Sequence, residues 1–80
     1  MNNNVYRFAS EKAIPKGMRK LVEKYIDVID SVHREYNYGY DYWIYLKEGY
    51  ICDPMECGII HEYTIKDCEM MLKEVRKVEE

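Results

Sequence analysis

Phenylalanine and tryptophan are scarce in this sequence, with one of each, and proline occurs only twice. Its 80 residues hold four glycines, and no Gly-rich loop of the kind that cradles phosphates occurs among them. Ser10 and Ser31 are the only serines, too few to give a serine triad a scaffold. No carboxylate pair has a distinctive spacing. No apolar run approaches the length that spans a bilayer. The first residues, Met1-Asn2-Asn3-Asn4, are polar and lack the apolar stretch of an export signal. Cys52, Cys57 and Cys68 are odd in number, so reduced thiols and a cytoplasmic location are expected rather than a disulfide framework. These absences argue against an enzyme, a cofactor and a membrane partner.

What is abundant is tyrosine, with nine residues in a chain that is 48% apolar and 34% charged. The composition is that of a globular protein, and the length suits one domain over residues 1–80. A domain of this size buries only about 60% of the surface its unfolded chain exposes. It has little material for a deep pocket, and binding through a face suits it better. Tyrosine buries a ring while keeping a hydroxyl for water or a partner, so its excess fits half-buried and interface positions.

Charge is unevenly placed. Residues 1–26 hold six bases and two acids, a net of +4, whereas residues 27–80 hold six bases and thirteen acids, a net of −7. A pI near 5.4 argues against general nucleic-acid binding, which needs a dominant basic surface.

Apolar residues at Met18, Leu21, Val22, Tyr25, Ile29, Val32 and Tyr36 follow the spacing of one helical face. They predict a helix over 16–37, closed by Asn37 and Gly39. Residues 42–47 are rich in strand-favouring side chains. Glu48-Gly49 then predicts a tight hairpin into Tyr50-Ile51-Cys52, with Leu46 opposite Ile51 and Tyr45 opposite Cys52. Asp53-Pro54-Met55-Glu56 reads as a turn, and 58–63 as a third strand. Thr64 is an N-cap for a second helix over about 65–78, with Asp67 in a capping-box-like position. Ile65, Cys68, Met71, Leu72, Val75 and Val78 are its stripe. Residues 5–8 suggest an edge strand, or residues 1–15 an arm. The expected fold is α+β in the order α-β-β-β-α, with both helices on one face of a three-stranded antiparallel sheet.

Such a sheet keeps one face open. The hairpin pairing places Ile44, Leu46 and Ile51 in the core and Trp43, Tyr45, Tyr50 and Cys52 on the other side. The register of the third strand decides whether His61 or Glu62 joins them. Rigid rings set among Tyr, Asn, Gly and Asp suit protein contact, so Tyr40, Tyr42, Trp43, Tyr45 and Tyr50 are the expected partner-binding residues. Lys16, Arg19, Lys20 and Lys24 recur on the first helix as an anion-binding ridge or simply as its solvated face. The run Cys52-x4-Cys57-x3-His61 lies near the spacing of zinc knuckles, so a metal at Cys52, Cys57 and His61 is the alternative to no metal. Cys57 and His61 carry no further sign of a nucleophile and its base.

The helix–strands–helix order resembles that of double-stranded-RNA-binding domains, which carry a Lys-rich start to the last helix. Here Thr64-Ile65-Lys66-Asp67-Cys68-Glu69 holds one base and two acids, so the phosphate contacts of that family are missing. In size, acidity and its Tyr-rich strand region the chain resembles small phage-encoded accessory proteins, including anti-CRISPR and other anti-defence proteins. That resemblance implies an inhibitor that occludes a surface of a bacterial defence protein. The other readings are an oligomeric sequestrant that holds a small nucleotide signal at its interface with Arg19, Lys20 and the aromatic face, and a regulatory subunit of a larger complex.

Overall fold

A computed structural model describes residues 5–6, 14–37 and 40–78, with the side chains of 35–37 excepted. Helix α1 (Lys16–Lys24) is followed by strands β1 (Ile29–Asn37), β2 (Tyr40–Leu46) and β3 (Tyr50–Cys52). A short 3-10 turn (Asp53–Met55), strand β4 (Ile59–Glu62), helix α2 (Ile65–Leu72) and strand β5 (Val75–Lys77) complete the order. One antiparallel sheet has the order β1-β2-β4, and β3 pairs with β5 in a second, two-stranded sheet. The fold is α+β as expected, with two helices and a three-stranded antiparallel sheet.

The first helix is much shorter than its periodicity suggests. It ends at Lys24, where a turn carries Val28 N–H and Ile29 N–H back to the Tyr25 carbonyl. Residues 29–37 are a strand. The misleading spacing has a physical cause in the pairing with β2. Ile29 faces Leu46 and Ser31 faces Tyr45, so Asp30 is an extra residue on β1. A bulge of this kind puts two residues three apart on the same face. Ile29 and Val32, opposite Leu46 and Ile44, therefore reach the core together. A second irregularity lies between Arg34 and Asn37. A strand with two such insertions shows a period of three to four instead of two, which is the signature of a helix. Asn37 belongs to β1, and Gly39 lies outside the described residues.

The predicted β2–β3 hairpin forms its turn but not its pairing. Gly49 has φ 94°, the left-handed conformation a tight turn needs, and Tyr50 N–H reaches the Lys47 carbonyl. Both edges of β2 are already taken, by β1 and β4, so β3 leaves the sheet. It pairs with the chain beyond α2, which stops at Leu72 rather than running to 78. Val75 thus faces Cys52 across a ladder, and the Arg76 guanidinium meets Asp53 at 2.6 Å. Val75 and Val78, counted on the helical stripe, belong to β5 and the residue after it.

One core joins the layers. Val32, Ile44 and Ile60 form a cross-strand row at the centre of the sheet, each 0% exposed. Met18, Leu21 and Val22 from α1, and Cys68 and Leu72 from α2, are buried in the same core cluster as this row. Thr64 caps α2 as predicted, its Oγ1 accepting the Asp67 N–H at 3.1 Å. Val5 belongs to the same core, and its carbonyl accepts the Val32 N–H at the outer edge of β1. The expected strand over 5–8 extends into residues outside the described set. No described helix is long and apolar enough to cross a membrane.

Candidate functional site

Strand β2 alternates as its sequence predicts. Tyr42, Ile44 and Leu46 are buried towards the helices, and Trp43 and Tyr45 project from the other side of the sheet. The pairing with β4 settles which residue joins them. Trp43 stands opposite His61, and Tyr42 opposite Glu62, so His61 takes the aromatic side. In β1 the same row brings His33 opposite Trp43.

The rings on this side touch one another. Tyr40 lies 4.3 Å from His61, 4.9 Å from Tyr63 and 5.8 Å from Trp43, centroid to centroid, the last nearly perpendicular at 87°. Trp43 and His61 are 5.1 Å apart. Edge-on and tilted contacts at these separations are the favoured arrangements of aromatic quadrupoles. Tyr45 packs on His33 at 4.7 Å. The cover is graded across the sheet. Ser31 and His33 on β1 are buried, Trp43, Tyr45 and His61 are half-buried, and Tyr63 is 56% exposed. The β4 end of the face is therefore the accessible end.

Two of the expected contact residues stand elsewhere. Tyr42, only 5% exposed, points into the core, where burial raises its hydroxyl pKa. The Arg34 guanidinium sits 5.5 Å from its ring and pairs with Asp41 at 3.3 Å, an ion pair that raises the Arg34 pKa further. Tyr50 lies in the second sheet and packs against the core beside Cys52, and Ile51, expected in the core, is only half-buried. The place of Tyr42 follows from the alternation of β2, which sets it beside Ile44 and Leu46, and that of Tyr50 and Ile51 from the loss of the β2–β3 pairing. Tyr63 was missing from the expected contact set, and His61 stood there only as the alternative to Glu62. Their signal was the third strand's register, which local sequence does not determine.

No protein-family model matches the chain, and neither a curated protein nor a solved structure matches it. Its function must be read from its own geometry.

The basic residues of α1 are spread along an open side. Lys16, Lys20 and Lys24 are exposed, and Arg19 is half-buried, its Nε donating to the Ile14 carbonyl at 3.1 Å. Lys20 and Lys24 border a shallow cleft of about 200 Å³ between the helices, with Gly17, Leu21, Ile65 and Glu69. Glu69 lies 4.0 Å from Lys24 and places a carboxylate at the same cleft, which works against an anion there.

The Cys52, Cys57 and His61 set does not converge. Cys52 is buried, its Sγ donating to the Met71 carbonyl at 3.4 Å, while Cys57 is exposed and His61 sits among the rings. Among the described residues no three of His, Cys, Asp and Glu are grouped to hold a metal. Glu62, half-buried beside α2, has its carboxyl pKa raised by burial and by Asp67, with His61 opposing.

Proposed function

We propose that this protein is a non-catalytic binding protein that takes a partner protein on the aromatic side of its three-stranded sheet. The observation that carries the reading is the contiguous cluster of Tyr40, Trp43, His61 and Tyr63, opposite the helices and open at its β4 end. Large rings held in place by one another lose little conformational freedom on binding, and such residues dominate the energetics of protein interfaces. Tyr45 extends the surface towards β1. The mode of action is occlusion: the face covers a working surface of its partner. The resemblance in size and charge to phage-encoded accessory proteins makes a protein of a bacterial defence system the target class to test first.

The test is capture from bacterial lysate with wild type, a Trp43→Ala/Tyr63→Ala variant and a Lys20→Glu variant. A partner should be recovered by wild type and by Lys20→Glu, and its affinity should fall at least tenfold with the aromatic pair removed. Hot-spot truncations of about 2 kcal/mol each predict a larger loss. Equal recovery by all three proteins would overturn the reading, as would a loss confined to Lys20→Glu.

A further inference from the structure

The two edges of the three-stranded sheet are finished differently. On β1 the outward Val32 N–H is taken by the Val5 carbonyl, so the chain covers that edge itself. On β4 the direction of each main-chain group follows from the ladder. Leu46 N–H donates to the Gly58 carbonyl at 2.9 Å, and the register then sets Ile44 opposite Ile60 and Tyr42 opposite Glu62. In an antiparallel ladder alternate residues bond to the neighbouring strand, and those between them face away. Gly58, Ile60 and Glu62 thus face β2, while Ile59 and His61 direct their N–H and C=O groups outward. The Ile59 carbonyl meets the exposed Cys57 thiol at 3.4 Å, and no described main-chain group pairs with His61 on this edge.

Native proteins blunt an exposed edge with lysine, proline or a bulge. β4 carries neither residue, and its register with β2 has no shift. The two sides of this edge differ in character. On one stand the His61 ring and the exposed Tyr63. On the other, Glu62 lies near Asp67, and neither carboxylate has a cationic partner among the described residues. Two copies of β4 paired about His61 would set their Glu62 carboxylates diagonally across the ladder, within about 8 Å, where like charges oppose pairing. A strand with basic side chains there meets attraction instead.

We propose that the outer edge of β4 takes an extended segment of the partner protein as a fourth strand of the sheet. That segment is basic on the side of Glu62 and Asp67 and apolar on the side of His61 and Tyr63. This mode of binding rests on the aromatic-face reading and adds main-chain hydrogen bonds at Ile59 and His61 for affinity, with alternate side chains for selectivity.

The probe is a pool of synthetic heptapeptides with Lys or Arg at alternate positions and Val, Ile or Tyr between them. It is titrated into nitrogen-15-labelled protein up to about 1 mM, the weak end of specific association. The Ile59 and His61 amide resonances should move, and peptides with Glu in place of the bases should bind about threefold more weakly. Single N-methyl groups along the tightest peptide should weaken binding at least tenfold at every second residue, and change it little at those between. Glu62→Lys, its fold checked by the amide resonances of β1, should lose the preference for basic peptides. Unmoved Ile59 and His61 amides would overturn the proposal. So would equal loss at all methylated positions, a basic preference kept by Glu62→Lys, or a sedimenting dimer of the protein alone in which those amides are covered. Equal loss on methylation with binding abolished by Trp43→Ala would leave the aromatic face without the strand. An alternating loss untouched by Trp43→Ala/Tyr63→Ala would keep the strand and remove the face.

Discussion

Burial on the inner side of α2 pushes the Cys68 thiol up to about 12, chiefly by desolvation, with Glu62 and Asp67 adding to it. The neutral thiol is held in the fold, while in the unfolded chain it ionises near 9. The fold then binds a proton that the unfolded chain has lost, so stability is intact below pH 9 and declines as the pH rises towards 12. We expect wild type to lose up to about 1.4 kcal/mol per pH unit more than Cys68→Ala in this window. Urea midpoints of the two proteins at pH 8 and pH 10.5, roughly either side of the unfolded value, check it, and parallel declines would refute it. At the N-terminus of the same helix, Thr64 satisfies the Asp67 N–H, which its helix cannot. Thr64→Ala should cost about 1 kcal/mol in the same denaturation measurement, and no change would mean that water replaces the hydroxyl without loss. The cap was plain in the sequence, because an N-cap is a contact between residues three apart.

Strands carried the surprises. Helix α2 was legible up to Leu72, since Thr64, Ile65 and Cys68 describe their own local geometry. Its end was not, because Val75-Arg76-Lys77 continues the helical spacing and leaves it only to meet the free edge of β3. In β1 the bulge at Asp30 imposes a helix-like period on a strand. A bulge is defined by the partner strand and has no mark in the chain that carries it. Position in the sheets also sets local stability. β2 is hydrogen-bonded on both edges, whereas β3 and β5 share one ladder of three residue pairs. Amides of Trp43, Ile44 and Tyr45 should therefore exchange with deuterium at least tenfold more slowly than those of Ile51 and Arg76. Peptide-resolved exchange measures this, and equal rates would mean that the two sheets open as one unit.

On the scale of the whole molecule, one core joins the two helices to the Ile44 and Ile60 side of a small sheet, and rings stand on the other side. That arrangement separates the basic residues of α1 from the aromatic cluster. It accounts for the expectation that Lys20→Glu spares a partner bound at Trp43 and Tyr63. The contact between the Cys52 and Met71 sulfurs stands apart from both, at the seam between the second sheet and α2. It went unread in the sequence because Met71 looks like one more apolar residue on a helical stripe. The distance that gives it meaning spans nineteen residues of chain.

Composition and alternation within β2 were enough to determine an α+β domain with Ile44 and Leu46 inside and Trp43 and Tyr45 turned away from them, since neighbouring side chains on a strand must point apart. Everything that depends on which strand lies beside which was decided by packing. The departure of Tyr50 with β3 and the arrival of His61 and Tyr63 beside Tyr40 are consequences of pairing. Ladder hydrogen bonds are the same for every register, and only the burial of distant side chains selects one.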